Sequence, residues 1–129
     1  MGDKQTVTAY LCARGADDAI GFYREVFGAK VDGEIWRDPA DGRVGHSELE
    51  IGGSTFYLSD EYEALGVRSP QHYGGTSVSF VIVVDDVEAV WAAALARGAK
   101  VDREITEGNG MRSGWLHDPW GHRWNVGSR

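Results

Sequence analysis

The chain has 129 residues and a formal net charge of −7, with 20 Asp and Glu against 13 Lys and Arg. That length fits one domain able to bury its own core, and the acidity argues against a protein that tracks nucleic-acid phosphates. The single cysteine, Cys12, excludes an internal disulfide and fits a reducing, cytoplasmic setting, and no apolar run reaches the roughly 18 residues of a membrane span.

No signal-peptide pattern opens the chain. Met1-Gly2-Asp3-Lys4-Gln5-Thr6 fits the loose myristoylation pattern, but Thr6 already reads as the approach to a strand. Residues 7–12 predict that first strand. Across 16–27, apolar side chains at 16, 19, 20, 23, 26 and 27 make one buried helical stripe. Gly28 supplies the stop, because glycine takes the left-handed conformation cheaply. Residues 30–36, 43–51 and 55–59 read as strands, parted by the turn signals Asp38-Pro-Ala-Asp-Gly42 and Gly52-Gly53.

Residues 60–75 hold Gly66, Pro70, Gly74 and Gly75 and read as a link, either a functional loop over a cavity or a tether. The second half replays the order of the first. Residues 78–84 form a strong β run, and Asp85 with Glu88 makes a helix-opening pair. Val87, Val90, Trp91, Ala94 and Leu95 give the helix stripe, and Gly98 ends it. Strands follow at 100–106, 111–117 and 122–126, with a tight turn at Asp118-Pro-Trp-Gly121.

One segment nearly recurs. Gly28-Ala-Lys-Val-Asp-Gly-Glu-Ile35 returns as Gly98-Ala-Lys-Val-Asp-Arg-Glu-Ile105, matching at seven of eight positions, and from Gly28 to Gly98 the offset is 70 residues. A period of half the chain, seen once, marks a duplicated module rather than a solenoid. The expected fold is therefore α+β, a single domain of two tandem βαβββ modules forming a curved mixed sheet around a cavity. The first module is placed at 6–60, the linker at 61–75 and the second module at 76–129. A ligand is expected between the modules.

Three segments together resemble the vicinal oxygen chelate superfamily of glyoxalase I, extradiol dioxygenases and bleomycin-resistance proteins. They are Ala19-Ile-Gly-Phe-Tyr-Arg-Glu-Val-Phe-Gly-Ala29, Gly45-His-Ser-Glu-Leu-Glu-Ile-Gly-Gly53 and Asp118-Pro-Trp-Gly-His-Arg-Trp124. The resemblance implies paired modules, commonly in a homodimer, and metal ligands in the metal-dependent members on the first and last strand of each module. Carried over by strand phase, those four positions are Thr8, Tyr57, Ser79 and Asn125. Hydroxyls and an amide are poor ligands for zinc, iron or nickel. A one-residue slip of register brings in only Val7, Ala9, Phe56, Leu58, Val78, Phe80, Trp124 and Val126. The expectation is thus no metal and no cofactor.

Residues two apart on a strand share a face, so His46 and Glu48 form a pair. With His117 or His122 they make an unorthodox metal or acid–base site; alone they are a polar face with a local hydrogen bond. Strand phase turns Tyr10, Cys12, Ser59, Val81 and Arg123 toward the cavity, with Trp36 and Trp115 facing the cavity or an interface. Trp91 and Trp124 fall on core phases, and Trp120 lies in a turn, where exposure or a dimer contact is expected. Cys12 is expected to be inert filler.

Flat aromatic walls with a few polar groups suit a planar or amphipathic molecule, though the same rings also serve to seal a groove or a dimer. The leading expectation is a non-enzymatic binder of a drug-like or aromatic molecule, resembling the bleomycin-resistance proteins. Thr8, Tyr10, Trp36, His46, Glu48, Tyr57, Ser59, Ser79, Trp115, Arg123 and Asn125 are its candidate contacts. The alternative is a metal-dependent glyoxalase- or dioxygenase-type enzyme with atypical ligands.

Overall fold

The apolar stripe of residues 16–27 becomes a helix whose inner face carries Ala16, Ala19, Ile20, Phe22, Tyr23, Val26 and Phe27. In the computed structural model, which describes residues 4–129, this is α1 (Ala16–Phe27). Gly28 closes it at φ 71°, with its amide donating to the Arg24 carbonyl and the Ala29 amide reaching back to that of Tyr23. Glycine is needed there because other residues are strained at positive φ. The myristoylation pattern begins in residues 1–3, outside the described residues.

The first sheet is built from β1 (Tyr10–Ala13), β2 (Lys30–Val31), β3 (Trp36–Arg37), β4 (Val44–Ile51) and β5 (Ser54–Asp60). Its order is β1-β5-β4-β2, with β3 also paired to β4 and β1 running parallel to β5. A short helix, α2 (Pro70–Tyr73), follows in the connecting segment. The second sheet contains β6 (Ser79–Val83), β7 (Lys100–Gly108), β8 (Met111–His117) and β9 (Arg123–Ser128), ordered β6-β9-β8-β7, with α3 (Val87–Ala96) between β6 and β7. Each half therefore runs βαβββ, the first with its second strand split in two. Among the described residues no helix is long and apolar enough to cross a membrane.

Three local details differ from the sequence reading. The strand expected at 30–36 breaks into β2 and β3, with Gly33 at φ 74° between them. Regular pairing in the first strand starts at Tyr10, so Thr8 precedes β1 and is half-buried. Asp86, rather than Asp85, caps α3 by accepting from the Ala89 amide at 3.1 Å, because the helix begins at Val87 and Asp86 alone reaches that amide. Glu88 is drawn instead to Arg112.

The helices cover one face of the sheets, where Leu49, Leu58, Leu116 and Val126 are fully buried. Around α1 the core is aromatic: Tyr23, Phe56, Trp120 and Trp124 pack edge-on or tilted at 5.6–6.3 Å between neighbouring centroids. Trp120 was expected at the surface. It is 8% exposed, packs 5.7 Å from Phe22, and donates its indole N–H to the Arg14 carbonyl at 3.1 Å. The turn that carries it is tucked under α1 by Asp118, which is buried and accepts from four donors. These are the Tyr23 hydroxyl at 2.5 Å, the Trp124 indole at 3.0 Å, and the amides of Trp120 and His122 at 3.0 Å each. Burial, followed by the Asp118 carboxylate, pushes the Tyr23 phenol well above its ordinary pKa, so it stays a donor.

Candidate ligand-binding site

Alternation along a strand sorts each sheet into two faces. In β5, Phe56 and Leu58 enter the core, so Tyr57 and Ser59 point the other way. Register then brings Tyr10 beside Tyr57, Tyr57 beside Glu48, and His46 beside Trp36. The face away from the helices thus gathers Tyr10, Trp36, His46, Glu48, Tyr57 and Ser59. His46 and Glu48 lie on β4, an interior strand of the sheet.

The polar groups of this face form a chain. The Tyr10 hydroxyl lies 2.6 Å from His46 Nδ1 and 3.2 Å from the Gly45 carbonyl, and its single proton serves one of them at a time. When it donates to His46 Nδ1, the imidazole carries its own proton on Nε2 and donates to Glu48 Oε2 at 3.0 Å. The Tyr57 ring packs edge-on against His46 at 4.9 Å and Tyr10 at 5.4 Å. Burial, then the Glu48 carboxylate and Tyr57, raises the Tyr10 pKa, which keeps the phenol protonated at neutral pH.

Beside this chain lies a cavity of about 520 Å³, walled by Tyr10, Trp36 and Tyr62 with Leu11, Leu65 and Val67. Ser59 and Asp38 supply polar edges. The Trp36 ring lies directly on Gly45: a Cβ there would fall 2.3 Å from it. Tyr62 is fixed by its hydroxyl, which donates to Asp38 at 3.2 Å, and by the Arg43 guanidinium 3.9 Å above its ring. Sequence reasoning missed Tyr62, Leu65 and Val67 because it assigned them to the linker. The signal was present, since three apolar side chains within six residues do not belong in a free tether.

The remaining candidates do not join this cavity. Ser79, Trp115, Arg123 and Asn125 lie on the corresponding face of the second sheet. There Arg123 stacks 3.9 Å over the Trp115 ring, pairs with Asp102 at 2.8 Å and donates to Ser79 at 3.1 Å. Asn125 is buried, with its amide donating to the Gly114 carbonyl at 3.3 Å. The arginine holds the Asp102 carboxyl below its ordinary range. These groups satisfy one another, and the linker residues fold over the first sheet. The aromatic cavity is consequently walled by the first sheet and the connecting segment, not by the two sheets together as expected.

The four positions assigned to metal ligands hold hydroxyls and an amide: Tyr57 lies in the first sheet, Ser79 and Asn125 in the second, and Thr8 ahead of β1. Among the described residues no three His, Cys, Asp or Glu side chains come within reach of one ion. His122 is buried at the Cys12 carbonyl, 2.8 Å away, and His117 faces Asp102 at 3.6 Å, so neither completes a site with His46 and Glu48. This donor set does not fit a divalent transition metal.

Two half-sheets of βαβββ order, each with a helix on one face, define a glyoxalase-type fold. Residues 5–126 match the Glyoxalase/Bleomycin resistance protein/Dioxygenase superfamily, and the chain belongs to it. The uncharacterized protein Rv0887c of Mycobacterium tuberculosis is 36% identical over 126 residues, covering 94% of this chain and 72% of its own. Among solved structures, protein PA1353 from Pseudomonas aeruginosa superposes with a TM-score of 0.77 at 22% identity, over 98% of both chains. TioX from Micromonospora sp. ML1 gives 0.68 at 23%, covering 97% of this chain and 96% of its own. The fosfomycin resistance protein FosX from Mesorhizobium loti gives 0.71 at 11%, covering 99% and 94%. At these identities the structural neighbours show the fold alone.

Proposed function

We propose that this protein binds a small planar or amphipathic molecule in the Tyr10–Trp36–Tyr62 cavity and holds it without chemical change. One observation carries the reading: the rings of Tyr10, Trp36 and Tyr62 and the side chains of Leu65 and Val67 line a cavity of about 520 Å³ beside a short polar chain. Covering on the order of 400 Å² of apolar surface yields about 10 kcal/mol gross. Association costs of about 4 kcal/mol or more leave micromolar affinity within reach. Tyr10, His46 and Glu48 would read one polar group of the ligand, and Ser59 a second. The kinship with a superfamily that includes resistance proteins supports a drug-like or aromatic ligand.

The test is a tryptophan-fluorescence titration of the full chain against aromatic antibiotics and metabolites, with and without EDTA. Saturable quenching with micromolar midpoints, unchanged by EDTA and weakened at least tenfold by Trp36→Ala, is the expected result. Gly45→Ala should weaken binding too, by pushing the Trp36 ring off its seat. Loss of binding in EDTA would replace this reading with the metal-dependent enzyme.

The proposal extends to a homodimer. Val81 and Val83 stand 68% and 51% exposed on the open face of the second sheet, where a second copy would cover them. Sedimentation equilibrium of the same samples should return twice the chain mass, and a monomer at every concentration would remove this extension.

A further inference from the structure

We propose that the groove between β1 and β6 is a second binding site, for a small amphipathic carboxylate anchored on Arg68. The groove encloses about 700 Å³. It runs between the edge strands of the two sheets, β1 of the first and β6 of the second, and α2 walls one end of it. Leu11, Val78, Phe80 and Tyr73 supply its apolar surface. Arg68 supplies its cationic group.

Arg68 is anomalous in this molecule. Its Nε is the one buried side-chain nitrogen or oxygen among the described residues that has no hydrogen-bond partner. Such a group calls for an explanation, because a shielded N–H without an acceptor is unfavourable. The shortage is not of acids, since the chain carries 20 Asp and Glu against 13 Lys and Arg. Arg14, Arg37, Arg43, Arg97, Arg112 and Arg123 all pair with carboxylates. Glu61, in the same segment, is already occupied: Oε1 takes Arg14, and Oε2 takes the amide and hydroxyl of Ser69.

The segment carrying Arg68 is not loose. Ser69 and Pro70 are buried, Gln71 donates to the Pro119 carbonyl at 3.1 Å, and Pro70 packs so closely on Gly121 that a Cβ there would lie 3.0 Å away. On the other side Val67 bridges Tyr62, its amide donating to the Tyr62 carbonyl at 3.1 Å, so fixed backbone flanks Arg68 on both sides. The guanidinium's planar fork matches a carboxylate's two oxygens. A single cation within a chain of net charge −7 favours a monoanion over a phosphate dianion. An alkyl or aryl body attached to that carboxylate would lie along Leu11, Val78 and Phe80.

Titration calorimetry on the full chain with decanoate and its uncharged counterpart decanol tests this. Decanoate is expected to bind at one site, at least tenfold tighter than decanol, as a charge-assisted pair requires. Arg68→Gln should weaken decanoate tenfold or more, leave decanol unchanged, and leave the melting temperature intact. Val78→Glu, at a residue 54% exposed, should place a carboxylate in the groove and abolish decanoate binding with Arg68 still present. Trp36→Ala should leave decanoate unaffected, which separates this site from the aromatic cavity. Equal affinity for the acid and the alcohol, or unchanged decanoate binding in Arg68→Gln or Val78→Glu, would overturn the proposal. So would decanoate binding that is lost only in Trp36→Ala.

Discussion

Cys12 lines both the aromatic cavity and the groove, yet its thiol is held out of chemistry. Burial, then the Glu61 and Asp60 carboxylates, push its pKa up to about 12, with Arg14 opposing. The nucleophile is the thiolate, so the native protein should react with a disulfide reagent at pH 8 at least about a hundredfold more slowly than the same chain in urea. Absorbance of the released thiolate measures this, and comparable rates would mean the cavity opens freely. Residue-scale legibility was uneven. Two-residue alternation turned Tyr10 and Tyr57 inward and set His46 beside Glu48 from sequence alone; that the two pairs share one face came from the strand register. Alternation said nothing of Tyr62, which follows the end of β5 and owes its place to Asp38 and Arg43. Nor could it bury Trp120, whose acceptor is a carbonyl 106 residues away.

At the scale of elements, the repeat itself explains why the halves differ. Both copies begin with a glycine at positive φ that ends a helix, Gly28 at 71° and Gly98 at 98°. Both then bury an alanine, Ala29 or Ala99. The one mismatch sets Gly33 against Arg103. Gly33 sits at φ 74° where the strand breaks into β2 and β3, whereas the second copy continues as β7 through Arg103. The sequence displayed this substitution, but its backbone consequence needed the dihedral angle.

The connecting segment carries its own titratable fastening. The Arg14 side chain, then the Ser69 amide, hold Glu61 at about 2, below the ordinary 4.5. Because the folded value is the lower one, this stabilisation is complete above the unfolded pKa and is lost as pH falls from about 4.5 toward 2. Near-UV circular dichroism should show the wild type losing signal through that window more steeply than Glu61→Gln. Identical acid profiles would contradict the fastening.

Over the whole molecule, one connection between the halves is a buried carboxylate and its donors. Asp118 lies in the second half and Tyr23 in the first, so their hydrogen bond ties the turn before β9 to α1. Asp118→Asn leaves an amide that cannot accept from all four donors, at a cost of about 2–4 kcal/mol. Tyr23→Phe should cost about 1–2 kcal/mol by removing one donor from the buried charge. Calorimetric melting checks both, with Asp118→Asn falling by roughly 10 °C. The Asp-Pro-Trp-Gly segment was readable as a tight turn; that it fastens the aromatic core was not, since turn chemistry is local and its partner is 95 residues distant.

That distance has a consequence for synthesis. While a ribosome is still making the second half, the aromatic flank of α1 has been completed, but neither Asp118 nor Trp120 nor Trp124 exists to cover it. Contacts so far apart in the chain are costly to close and form late. The nascent first half must therefore carry bare rings through most of translation, and a chaperone that shields exposed aromatics would find its target there.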